Sequence, residues 1–171
     1  MTAAPRRRRF ASRTGEPRVP GRAGTVLQRP RPLDSARVEA FLVGQGYHVM
    51  RDEDDDLTGT WDGDRFWFLL LGEHQEVLQI RGRWHRTLPE HRRSAALLAV
   101  NDWNRERIWP KAYLRHEDDE TAVYAEVSVD LEHGVTDDQL AQMVGCGLGT
   151  GVQLFAALSD LVPDEDGAGP G

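Results

Sequence analysis

Four glycines, Gly145, Gly147, Gly149 and Gly151, alternate through a segment whose apolar residues repeat at helical spacing. At roughly 100° per residue, Leu140, Val144, Leu148, Leu154, Phe155 and Leu158 share one arc, which predicts a helix running to about Leu158. An interior glycine costs about 1 kcal/mol relative to alanine, so four cost about 4 kcal/mol in all. Gly147 and Gly151 lie on the apolar arc one turn apart, so the helix is expected to lie close against a sheet or another helix there. The glycines do not form a dinucleotide-binding loop. A GxGxxG frame places Thr150 or Val152 at its last glycine, and the run lies inside a helix, not between a strand and a helix. The start of the helix is marked by Thr136-Asp137-Asp138-Gln139, a capping box with two acids at the positive end of the helix dipole.

The remaining elements follow from similar patterns. A first helix starts near Asp34 or Ser35, turns Val38, Phe41 and Leu42 inward and ends at Gly44 and Gly46. A short strand at about 47–51 leads to the acidic loop Asp52-Glu53-Asp54-Asp55-Asp56. Strands follow at about 57–62, 65–71 and 77–84. Asp62-Gly63 marks a hairpin between the first two of these, and Gly72 to Glu76 turns the chain into the third. Thr87-Leu88-Pro89-Glu90 predicts a second helix, with Thr87 as its cap and Glu90 closing a capping box. This helix is expected to reach about Arg107, with Ala95, Ala96, Ala99, Val100 and Trp103 inward, and Pro110 forbids its continuation. Two strands follow, at about 111–116 and 122–130, the second with Val123, Ala125, Val127 and Val129 on one face. The order is α-β-β-β-β-α-β-β-α, an α+β fold with an antiparallel sheet and its helices packed on one face.

Charge divides the chain. Residues 1–33 hold nine arginines and a single acid, Glu16, for a net +8; residues 34–171 hold twelve Lys/Arg and 27 Asp/Glu, for a net −15. The first segment, with five prolines, is expected to be a disordered tail, residues 34–160 a single domain, and residues 161–171 a second tail. An acidic domain repels nucleic acid and anionic membranes, so only the Arg6-Arg7-Arg8-Arg9 leader is suited to attract them. The single cysteine, Cys146, forms no internal disulfide and fits a reducing cytoplasm. Unbroken apolar runs fall short of the roughly 20 residues of a membrane helix, and no apolar stretch of the signal-peptide kind follows the leading arginines.

Motifs of chemistry are scarce. Asp52, Asp54 and Asp56 have the first spacings of a calcium loop, but Leu57 stands where glycine is needed and Gly63 where the bidentate glutamate belongs, so a solvated acidic turn is expected. The six histidines never pair at metal-ligand spacing, Cys146 sits mid-helix, and neither a nucleophile elbow nor a Walker loop is present. Asn101, Asp102 and Asn104 are expected to satisfy backbone groups at the turn into the following strand. These patterns point to no catalytic residue, metal or cofactor and no small-molecule ligand. The strand Arg65-Phe66-Trp67-Phe68-Leu69-Leu70-Leu71 is apolar on both faces. With Phe66, Phe68 and Leu70 toward the helices, Trp67 and Leu69 face outward beside Gln79, Arg81 and Arg83. A partly apolar face edged by arginine has the make-up of a protein-binding or dimer surface, unless a helix or tail covers it. Trp67, Leu69, Arg81 and Arg83 are the candidate contact residues.

The chain resembles YbjN-domain proteins of the type III secretion chaperone-like group, and actinobacterial members most. The resemblance covers about residues 34–160. It rests on Gly59-Thr60-Trp61 with Phe66-Trp67-Phe68, on Leu78-Gln79-Ile80-Arg81-Gly82-Arg83-Trp84, on Asn101-Asp102-Trp103-Asn104 through Trp109-Pro110-Lys111-Ala112, and on Asp130-Leu131-Glu132-His133-Gly134-Val135-Thr136. It implies a small cytoplasmic protein without enzyme activity, regulatory in stress or signalling, often a homodimer that binds a partner segment. A nucleic-acid-linked regulator acting through the arginine leader is the other reading.

Overall fold

Asp34 opens the first helix, its carboxylate accepting the Arg37 N–H at 2.8 Å, and α1 spans Ser35–Gly44. The structure is a computed structural model that describes residues 28–161. After α1 come β1 (Val49–Arg51), β2 (Leu57–Trp61), β3 (Asp64–Leu71) and β4 (Val77–Leu88). A 3-10 turn (Glu90–Arg92) precedes α2 (Arg93–Glu106), then β5 (Lys111–Glu117), β6 (Glu120–Asp130) and α3 (Asp137–Leu161). The strands form one antiparallel sheet in the order β1-β2-β3-β4-β6-β5. The fold is α+β, with the element order read from the sequence. Of the tails expected at 1–33 and 161–171, residues 1–27 and 162–171 lie outside the described residues.

The core lies between the helices and one face of the sheet. Phe66, Phe68, Leu78, Ile80, Trp84, Val123 and Ala125 from the strands meet Val38 and Leu42 of α1 and the α3 arc Leu140, Val144, Leu148, Leu154, Phe155 and Leu158, all buried. α2 lies against β5 and buries Ala96, Val100 and Trp103; Ala95, expected inward, is exposed. The α3 glycines divide in two. A Cβ on Gly147 would stand 2.5 Å from Ile80 Cδ1 and one on Gly151 2.7 Å from Phe66 Cε1, whereas Gly145 and Gly149 face open space. The segment Asp137–Asp160 is long and apolar enough to cross a bilayer, although no single run in it suggests so; here its apolar arc packs on the sheet.

Turn chemistry explains most boundaries. Asp62 and Gly63 both take positive φ, 52° and 88°, the geometry of a tight two-residue hairpin. Asp118 and Asp119 do the same between β5 and β6, without a glycine to announce it. At α3 the capping box closes in both directions: Gln139 N–H donates to Thr136 Oγ1 at 3.2 Å, and Thr136 N–H to Gln139 Oε1 at 3.0 Å. The box expected at Thr87 does not form. Thr87 and Leu88 continue β4, paired with Ala122 and Thr121 of β6 past an irregularity after Arg83, and the Thr87 hydroxyl donates to Glu120. Burying Leu88 and extending the ladder offers more than a side-chain cap worth about 1 kcal/mol.

The chain joins the fold before residue 34. Arg31 and Val135 exchange backbone hydrogen bonds of 3.1 and 2.9 Å. The Arg37 guanidinium donates to the carbonyls of Arg31, Pro32 and Val135 at 3.0, 2.7 and 2.8 Å and to Asp137 Oδ1 at 2.7 Å. One side chain thus ties the stretch ahead of α1 to the start of α3, and a boundary at residue 34 omits that stretch.

Candidate functional site

Strand register sets the face opposite the helices. One row crosses all six strands through Met50, Thr58, Trp67, Arg81, Glu126 and Lys111. A neighbouring row carries Thr60, Arg65, Arg83, Tyr124 and Tyr113, and another carries Leu69, Gln79 and Ser128. The alternation expected from the sequence therefore holds: Trp67, Leu69, Arg81 and Arg83 all project to this side.

Only three of them share one place. Trp67, Leu69 and Arg81 line a concavity of about 230 Å³ together with Asp52, Asp54, Asp56, Arg115 and Tyr124. Leu69 is largely covered, and Trp67 half-buried. The acidic loop is what folds over this face. Asp52 accepts the Trp67 indole N–H at 3.2 Å and the backbone N–H groups of Asp54 and Asp56 at 3.2 and 3.1 Å, while Arg65 lies 3.6 Å from Asp52 Oδ2 and stacks its guanidinium 4.7 Å from the Trp67 ring. A turn expected to be merely solvated instead positions a tryptophan. Burial, then the charges of Asp52, Asp54 and Asp55, push the Asp56 carboxyl above its ordinary range, with Arg81 opposing them.

Arg83 belongs to a different network. Its guanidinium donates to Glu117 Oε2 at 3.0 Å, and Tyr124 donates its hydroxyl to Glu117 Oε1 at 2.6 Å. Burial alone would raise the Glu117 carboxyl, but the hydrogen bonds from Tyr124 and Arg83 outweigh it and hold the group below its ordinary range. Tyr124 stacks on Tyr113 with centroids 5.5 Å apart, and Tyr113 donates to Glu126 Oε2 at 3.1 Å. Burial first and the Glu126 carboxylate second push Tyr113 up to about 12; burial and Glu117 push Tyr124 upward. Arg81 sits between the two networks. It donates to Gln79 Oε1, and its Nε lies 3.7 Å from Glu126 Oε2, near enough for an ion pair but too far for a hydrogen bond.

The sequence patterns did not bring Asp52, Asp54, Asp56, Arg115 and Tyr124 to this face. Alternation placed Tyr124 opposite the core side of its strand, but only strand order reveals that β6 lies next to β4. Asn104, expected to satisfy backbone groups, does that work: its side chain accepts the Ala112 N–H and donates to the Ala112 carbonyl, both at 2.8 Å. Among the described residues no three His, Cys, Asp or Glu side chains are grouped to hold a metal.

Residues 34–160 match the YbjN family, described as "Putative bacterial sensory transduction regulator". The chain belongs to the YbjN family. The crystal structure of "YbjN, a putative transcription regulator from E. coli" is similar in fold, with a TM-score of 0.68 at 13% identity over 78% of this chain and 96% of that one. An uncharacterized protein from Methanothermobacter thermautotrophicus gives a TM-score of 0.46 at 12% identity, over 75% of this chain and 99% of that one. No curated protein matches the sequence.

Proposed function

We propose that this YbjN-family chain is a non-catalytic regulatory module that binds a partner protein through the outer face of its sheet. It works in the cytoplasm as a homodimer, as the secretion-chaperone-like resemblance implies. Membership of a family described as regulators supports the regulatory part. The observation that carries the binding part is the concavity where Trp67, Leu69 and Arg81 converge, because amphipathic aromatic and arginine side chains dominate the energetics of protein interfaces. The test compares partners captured by the wild-type protein and by Trp67→Ala, with thermal melts as a folding control and light scattering for the dimer. Selective loss of a partner by a folded variant is expected. An unchanged set of partners, or a strict monomer, would refute the corresponding part.

A second reading draws on the nine arginines of residues 1–33 and on the E. coli relative, a "putative transcription regulator". In it the leader contacts nucleic acid, and binding weakens steeply with salt. Deleting residues 1–31 abolishes that binding; no binding by the intact chain at low salt removes the reading.

A further inference from the structure

The groups around the outer-face concavity that keep unused hydrogen-bonding capacity are of both signs. Arg115 has its guanidinium 5.3 Å from the Tyr124 ring centre and no ion-pair partner among the described residues. Arg81 donates to Gln79 and lies 3.7 Å from Glu126, yet its buried Nε has no hydrogen-bond acceptor. The carboxylates of Asp54 and Asp56, also at this concavity, have no hydrogen-bond or ion-pair partner among the described residues. Charge is sorted along the sheet: the acids come from the loop before β2, and the guanidinia stand on β4 and β5. Trp67 on β3 lies between the acids and Arg81, and Tyr124 on β6 lies between Arg81 and Arg115.

The larger concavity beside α1 and α3 differs. There Arg31 and Arg37 are both bound to Asp137, so its charges are already satisfied. In the outer-face concavity, an anion alone would be repelled at the acidic end and a cation alone at the basic end. A molecule bearing both charges, with an apolar part against the aromatic floor, is complementary along its whole length. About 230 Å³ is below the roughly 300–1,000 Å³ of sites that take drug-sized ligands.

The geometry points to a binding site for a free amino acid with an apolar side chain: its carboxylate meets Arg81 and Arg115, its ammonium group meets Asp54 and Asp56, and its side chain lies on Trp67 and Tyr124. The inference rests on reading this face as a binding surface, and it adds a small-molecule signal to the regulatory role.

The test is calorimetric titration of the full-length protein with L-phenylalanine, with 3-phenylpropanoate, which lacks the ammonium group, and with phenethylamine, which lacks the carboxylate. L-Phenylalanine is expected to bind, and each truncated analogue to bind about tenfold or more weakly, as the loss of a charge-assisted hydrogen bond implies. Arg115→Gln and Asp54→Asn change exposed side chains, so both are expected to keep the wild-type melting temperature and to weaken L-phenylalanine about tenfold. Equal affinity for all three compounds, full affinity in both variants, or no heat with L-phenylalanine would overturn the site. If L-phenylalanine fails while the Trp67-dependent partner is still captured, only this inference falls. If both fail, the reading of the face as a binding surface falls with it.

Discussion

Replacing single glycines of α3 by alanine separates two effects of one substitution. In Gly149→Ala, the new methyl group meets nothing within 4 Å, so the variant gains only helix propensity, up to about 1 kcal/mol. In Gly151→Ala, the helix gains the same propensity but places Cβ 2.7 Å from Phe66 Cε1 and 3.1 Å from Cζ. Phe66 has little room to yield. It is fully buried, its ring lies 5.7 Å from Trp61 and 5.8 Å from Phe155, and Gly82 already passes close beneath it. Overpacking of this kind costs about 1–3 kcal/mol, so Gly151→Ala should range from neutral to about 2 kcal/mol less stable than wild type. The gap between the two variants is the overpacking itself, about 1–3 kcal/mol. Urea unfolding followed by circular dichroism measures it directly, and melting temperatures should differ by about 2–4 °C per kcal/mol. Gly147→Ala should fall between them, because Ile80 Cδ1, at 2.5 Å, can swing aside while Ile80 Cβ, at 3.2 Å, cannot. Equal stability of Gly149→Ala and Gly151→Ala would refute the claim that α3 lies on the sheet at Gly151.

Other consequences are more direct. Asn104→Ala leaves the N–H and carbonyl of buried Ala112 without their side-chain partner and should lower stability by about 1–3 kcal/mol in urea unfolding; an unchanged midpoint would show that the pair is dispensable. Arg37→Met keeps the aliphatic stem but removes the guanidinium hydrogen bonds to the Pro32 and Val135 carbonyls, so amide exchange should quicken at Arg31 and Val135; unchanged protection there would contradict the tie. Tyr113 titrates near 12 when folded against 10.0 otherwise, so the stability it contributes is complete below about pH 10 and is lost as pH rises toward 12; Tyr113→Phe should flatten the alkaline loss of stability, and an identical profile would count against the shift. Glu117 has the opposite sign: its lowered value gives stability that is present above the ordinary glutamate range and is lost on acidification through the folded-state value. Glu117→Gln should therefore weaken the acid dependence seen in unfolding at different pH values.

The features legible in the sequence were those decided within a few residues. The Thr136 box, the Asp34 cap and the Asp62-Gly63 turn each depend on neighbours in the chain, and each formed as expected. Thr87 carried an equally good local pattern and failed, because a strand 33 residues away, at Glu120, took its hydroxyl and its neighbours. The outer face was readable as alternation on β3 and β4, which identified Trp67, Leu69 and Arg81. Its further members come from the loop before β2 and from β5 and β6, and their convergence depends on strand order, which no local pattern carries. Arg83 shows the same limit in reverse: it points the right way, but Glu117 holds it in a different network.

The side chain of Asn104 imitates a strand where the sheet runs out. By engaging Ala112 on both its donor and its acceptor, it occupies the Ala112 end of the border at which another polypeptide would dock and extend the ladder. At the opposite border β1 offers only three residues. Both borders thereby present less free backbone for edge-to-edge growth, and a variant lacking the Asn104 amide should aggregate more readily than wild type.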